Sequence, residues 1–246
     1  MALVQTFEKQ GNFLFKYRGQ FPVILFLLAI PFIGITDYAS ISEVNERYYI
    51  NISVFLSFVG FLIRFYTIGT TPHGTSGRNT KQQVAEVLNS TGIYATLRHP
   101  LYLGNYLIWI GIATYVFNPL FILIISLIFW LYYDRIMFAE ERFLEKKFGD
   151  EYLDWSNKIP AFIPNFSNYK TSSIPFSIKT VLRREYSGVL ATVIGFCFVE
   201  VLRNYVIGEE LISNNLICVL IATLAVCLLL RTLKRNTQIL HEKDRD

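Results

Sequence analysis

Cysteine is scarce in this chain: three among 246 residues, at Cys197, Cys218 and Cys227, all inside the last two apolar blocks. Their spacing is not a metal pattern, and so few thiols make no disulfide framework, so they read as small packing residues. Internal repeats and low-complexity tracts are missing too. No cleavable signal is visible, because the first apolar block is long, begins about twenty residues in and lacks a small-residue cleavage site. The net charge of +4 does not call for nucleic acid, since anionic headgroups and a biased loop charge account for it.

What the sequence does have is apolar surface, at 52% hydrophobic and 16% aromatic residues, gathered into blocks about as long as a bilayer is thick. A spanning helix needs roughly 20 apolar residues at about 1.5 Å rise each. Six blocks meet or approach that length: Phe21–Ala39, Ile50–Ile68, Leu101–Phe117, Pro119–Tyr133, Tyr186–Leu202 and Asn215–Leu230. The third and fourth are short and meet at Asn118-Pro119, a turn signal between antiparallel spans. Twenty of the twenty-three Lys and Arg residues fall in segments 1–20, 69–100, 134–185 and 231–246. Such a bias predicts six spans with both termini cytoplasmic. The expected fold is a single all-α polytopic membrane domain over 1–246, with a cofactor pocket at its cytoplasmic face. With no eukaryotic targeting feature, a bacterial inner membrane is the expected location.

Along the chain, Pro31 is placed to bend the first span, and Arg64, near the inner end of the second, reads as a side chain snorkelling to the headgroups. A polar connection of about thirty residues follows, from Gly69 to Pro100, in which 81–88 has the composition of a short helix. Loops of that length are usually functional or disordered, and this one is not low-complexity. Beyond the fourth span, apolar residues recur at helical spacing among charges over Asp134–Trp155, which predicts an amphipathic continuation broken near Gly149. Segment 156–185, with Pro160, Pro164 and Pro175, reads as an irregular linker, and 186–230 as an added pair of helices.

Chemistry concentrates in two places. In Arg98-His99-Pro100-Leu101-Tyr102-Leu103-Gly104-Asn105 an arginine and a histidine stand where the polar loop enters a span. Proline suits the first helical turn. Free N–H groups there, together with His99, would form a polar pocket, and Gly104 lets a backbone or ligand approach. An interfacial anchor is the competing reading. The second place is Glu140-Glu141, two turns beyond the fourth span, where the span hairpin returns to the same face. Adjacent carboxylates on a helix point about 100° apart, so a matched acid/base pair is not expected and at least one should be solvated.

At these two places the sequence resembles the isoprenylcysteine carboxyl methyltransferase and phospholipid methyltransferase superfamily. The resemblance covers roughly 79–164 and rests on Gly92-x-Tyr94, Arg98-His99-Pro100-x-Tyr102-x-Gly104, Glu140-Glu141-x-x-Leu144 and Phe148-Gly149-x-Glu151-Tyr152. It implies an S-adenosylmethionine pocket closed by the polar segment and the post-span helix. By position it implies cofactor contacts from Asn79, Glu86, Val87, Leu88, Asn89, Tyr94, His99, Pro100, Leu101, Tyr102, Gly104 and Glu140. Where the prenylcysteine enzymes place a substrate-orienting arginine, one turn before the first glutamate, this chain has Ile136, with Arg135 one residue earlier.

The loop run Gly74–Thr80 with Gln83–Asn89 looks more like bacterial relatives that methylate lipid A phosphate. Methyl transfer to an anionic oxygen is expected, a lipid phosphate first and a prenylcysteine carboxylate second. Arg98 and Arg135 are the candidate catalytic residues, binding the anion through forked hydrogen bonds. The partner is then a membrane lipid or lipid-anchored substrate. A sterol-reductase-like enzyme using a nicotinamide cofactor shares this architecture and is the rival enzyme class. A transporter or scaffold is the non-enzymatic rival, disfavoured because the polar residues gather at one face and not at mid-span.

Overall fold

The computed structural model describes residues 2–72, 74 and 83–242, so Asn79 and the start of the expected 81–88 helix lie outside the described residues. Residues 83–88 themselves are not helical. Among the described residues the chain is all helical apart from an isolated Gly92–Lys170 bridge. Eight helices follow in order: α1 Leu3–Tyr17, α2 Phe21–Ile35, α3 Glu43–Gly69, α4 Pro100–Thr114, α5 Pro119–Phe148, α6 Asp150–Ser156, α7 Ile178–Ile207 and α8 Asn214–Asn236. Four of them, α3, α5, α7 and α8, are long and apolar enough to cross a membrane. The other two expected spans, α2 and α4, have 15 residues each, about 22 Å, and fall short of a hydrocarbon core roughly 30 Å thick.

Local chemistry explains where these helices start and stop. Asn118 caps α5 by accepting a hydrogen bond from the Phe121 N–H, with Pro119 in the first turn where no N–H is missed. Ser42, Ser177 and Ser213 cap α3, α7 and α8 in the same way. Gly149, at φ +53, ends α5 and begins α6, at the break expected in the amphipathic segment. The helix α1 has no counterpart among the predicted elements. It lies along α5, where a Cβ on Gly11 would sit 2.0 Å from the Arg135 carbonyl oxygen. Only glycine permits that approach.

The centre of the molecule is the α3–α4 crossing, and small residues build it. A Cβ on Gly60 would meet the Gly104 carbonyl oxygen at 2.7 Å, one on Gly104 would meet Arg64 Cγ at 2.6 Å, and one on Gly111 would meet Ser57 Oγ at 2.2 Å. Helix pairs in membranes associate through such close backbone packing, because lipid supplies no hydrophobic drive between apolar surfaces. At one end, Ile33, Val116, Phe117, Phe121, Ile125 and Val199 form a buried apolar cluster. At the other, Phe15, Tyr102, Phe129, Tyr133 and Ile136 form a second, aromatic one.

Arg64 does not snorkel. It turns inward and makes a bidentate pair with Glu185 of α7, through Nε at 2.7 Å and Nη2 at 2.8 Å, and also donates to Asn105. The reason is local. Glu185 is 4% exposed, and its carboxylate matches the fork of the partly buried Arg64. Of the cysteines, Cys197 and Cys227 are buried as expected of packing residues, whereas Cys218 lies on the exposed side of α8.

Candidate functional site

Where the 92–99 segment enters α4, the irregular chain after α6 lies alongside it. The Arg98 and His99 N–H groups donate to the Pro160 and Ala161 carbonyls at 2.9 and 3.1 Å, and Asn165 N–H donates to Thr96 O. The N–H groups of Arg98 and His99, just ahead of the helix start, are therefore taken. The linker over 156–185 is not loose here: backbone hydrogen bonds tie it to the loop that carries Arg98 and His99.

Arg98 is the staple of this arrangement. Its Nη1 donates to the Ser156 and Ile159 carbonyls at 2.8 and 2.7 Å, and its Nε and Nη2 grip Glu141 at 2.9 and 3.3 Å. Glu141 Oε1 also lies 2.8 Å from His99 Nε2. On the other side of the ring, His99 Nδ1 is 3.7 Å from Glu140 Oε2, and the Tyr102 hydroxyl donates to Glu140 Oε1 at 2.7 Å. The 100° between the two glutamates thus lets them flank one imidazole that is 7% exposed, and neither stands free in solvent. His99 and Tyr102 stack at 5.6 Å, Tyr102 packs on Tyr133, and the Tyr133 hydroxyl accepts from Asn105. Burial, reinforced by the charge of Glu140, raises the Tyr94 phenol above its ordinary value and keeps it a donor.

These groups line one end of a cavity of about 570 Å³. Of the residues singled out in the sequence, Tyr94, Arg98, His99, Pro100, Leu101, Tyr102 and Glu140 meet in its wall. The structure does not bring Glu86, Val87, Leu88 or Asn89 into that wall. Their neighbours Gln83, Val84 and Ala85 are there instead. Gly104 serves the α3–α4 crossing and not the cavity. Arg135 is outside it as well, with its guanidinium 3.7 Å from the Phe7 ring and paired to Asp134. Ile136, in the arginine position of the prenylcysteine pattern, is fully buried in the aromatic cluster.

Sequence reasoning missed Arg18, which lines the cavity from the end of α1, bonded to the Phe15 carbonyl at 3.1 Å and stacked on the Phe15 ring. Nothing local marks that residue, since its position depends on α1 docking along α5. From the polar end the cavity continues past Asn105 and Trp109 to Ala113, Val116, Phe121 and Val199, with apolar walls throughout its deep part.

Residues 50–151, running from α3 into α6, match the family model described as phospholipid methyltransferase. The chain is 35% identical over 85 residues to the protein-S-isoprenylcysteine O-methyltransferase of Saccharomyces cerevisiae, covering 35% of this chain and 36% of that one. It is 26% identical over 133 residues to a probable protein-S-isoprenylcysteine O-methyltransferase of Oryza sativa, covering 53% and 69% of the two chains. It is also 31% identical over 98 residues to the nickel-cobalt-cadmium resistance protein NccN of Alcaligenes xylosoxydans, covering 40% and 43%. The chain spans about a third of the length of the curated relatives it first matches. No solved structure matches it. The segment that holds both halves of the site, from Arg98 to Glu141, lies within the stretch that matches this family model.

Proposed function

We propose that the protein is a membrane methyltransferase that uses S-adenosylmethionine and methylates the carboxylate of a prenylcysteine-type acceptor. The observation that carries this reading is the polarity of a single cavity. Glu140, His99, Tyr102 and Tyr94 gather at one end, and beyond Asn105 the α4 wall is apolar from Ile108 to Ala113. A water-soluble cofactor and a lipid-bearing acceptor need such a two-sided site. The names of the relatives support the carboxylate acceptor over the lipid A phosphate expected from the loop sequence. The charge bias of the loops supports placing the polar end at the cytoplasmic face, with both termini on that side, and a bacterial inner membrane remains our reading of its location.

The residues present suit the cofactor. A carboxylate stands among aromatic rings, and Tyr94 and Tyr102 offer hydroxyls while Pro100 and Leu101 offer apolar surface. S-adenosylmethionine supplies a methyl group on a positively charged sulfur when bound. Glu140, held by Tyr102, is the group that would meet its polar portion. His99, fixed between Glu140 and Glu141, orients that carboxylate and removes no proton. A carboxylate acceptor is ionised at neutral pH and needs no base. Arg18 is the cation in the cavity wall best placed to hold the acceptor's negative charge, while Arg98 keeps the wall together. The chain's contribution is then alignment and exclusion of water, which can supply most of the rate for such a transfer.

The test is transfer of a labelled methyl group from S-adenosylmethionine to N-acetyl-S-farnesylcysteine by the purified protein, with lipid A and a nicotinamide-dependent reduction assayed in parallel. Glu140→Gln and His99→Ala should each lower cofactor affinity about tenfold or more, as loss of roughly 1.4 kcal/mol or more would give. Cofactor binding that is absent in folded wild type, or unchanged in both variants, would overturn the reading.

A further inference from the structure

Helix α7 lies beyond the matched segment 50–151, yet it forms one side of the cavity. Gly188, Ala191, Thr192 and Val199 line it, at spacings of three, four and eleven residues that put them on one face. The space beside this face changes along its length. A Cβ built on Gly188 finds nothing nearer than Glu185 Oε2 at 3.9 Å and Phe61 Cε1 at 4.0 Å. One on Gly195, two turns deeper, would press on Ile112 at 3.0 Å and Phe26 at 3.1 Å. The wall is therefore recessed at Gly188 and narrows at Gly195. Val199, 1% exposed, sits at the deep end with Val116 and Phe121. The span from Gly188 to Val199 is about 16 Å at helical rise. Its register against α3 is pinned by the Glu185–Arg64 pair, one turn above Gly188.

We propose that α7 is the measuring wall of the acceptor site: Gly188 and Thr192 set how long an apolar chain the cavity admits. This rests on the acceptor reading above. A Cβ at Gly188 has only Glu185 Oε2 at 3.9 Å and Phe61 Cε1 at 4.0 Å beside it, so a leucine there has room to project into the cavity and shorten the chain it admits.

The experiment compares wild type, Gly188→Leu and Thr192→Leu on N-acetyl-S-geranyl-, farnesyl- and geranylgeranyl-cysteine, with S-adenosylmethionine binding measured on each protein. Both variants should bind the cofactor as wild type does and keep at least half the rate on the geranyl acceptor. They should lose tenfold or more on the geranylgeranyl one. An unchanged ratio between long and short acceptors in variants that bind cofactor would overturn the proposal. Gly188→Ala, a milder change, gives the same readout if leucine prevents folding. If wild type methylates none of the three, the acceptor reading fails, and the wall is tested by itself with photoreactive straight-chain alcohols of eight to twenty carbons. Labelling of the 188–199 stretch by the long alcohols in wild type, lost in Gly188→Leu, supports the wall. Equal labelling in both proteins, or none in wild type, overturns it.

Discussion

At the scale of single residues, the site depends on how its hydrogen-bond donors are already committed. Arg98 occurs in the motif as a free-looking cation, but its fork holds Glu141 and two carbonyls of the chain after α6. Lysine is a point charge and cannot span those three partners. Arg98→Lys should therefore cost about 2–3 kcal/mol of stability, since hydrogen bonds to charged groups each contribute about 1.5–3 kcal/mol. Thermal denaturation in detergent checks this. A variant with an unchanged midpoint but a raised acceptor KM would instead assign Arg98 to the substrate anion.

At the scale of elements, two helix junctions hold the site in register. One is the α3–α4 crossing, where Gly60, Gly104 and Gly111 let the backbones touch. The other is Arg64 on α3 with Glu185 on α7, whose side chains are 19% and 6% exposed. Removing one partner of such a pair leaves a buried charge, so Glu185→Leu should destabilise the fold by about 3 kcal/mol, whereas Arg64→Met with Glu185→Leu should recover most of that loss. Unfolding midpoints of the two singles and the double would show it. Additive effects would mean that the pair contributes no coupling.

At the scale of the whole molecule, the two ends of the cavity lie at opposite ends of α4, near Pro100 and near Ala113. With the polar end cytoplasmic, Lys158 lies inside and Glu209, between α7 and α8, lies outside. In a background with the three native cysteines replaced, a membrane-impermeant maleimide should label Glu209→Cys in intact cells and Lys158→Cys only after permeabilisation. The reverse pattern would invert the orientation. A bound cofactor should also stabilise the whole fold by about 2.7 kcal/mol at a hundred times its dissociation constant. The unfolding midpoint of wild type should rise with S-adenosylmethionine, and that of His99→Ala should rise less at the same concentration.

The sequence by itself determined what depends on local pattern. Apolar length and turn chemistry marked six expected spans, of which four are long and apolar enough to cross a membrane, and the Asn118-Pro119 reversal, and helical spacing with Gly149 marked the α5–α6 break. Motif order marked Tyr94, His99, Tyr102 and Glu140, all of which meet in one wall. Only the tertiary structure decided which charges are spent and which face the cavity. Arg64 is turned inward by a carboxylate 121 residues away, and Arg98 is held by carbonyls from a stretch that composition marks as linker. Arg18 reaches the cavity because α1 packs along α5, and Arg135, adjacent to the expected position, faces Phe7 instead. A one-residue step on a helix turns a side chain by about 100°, and a long-range pair has no sequence period. The direction a charge takes is fixed by the surface packed against it, which composition and spacing do not encode.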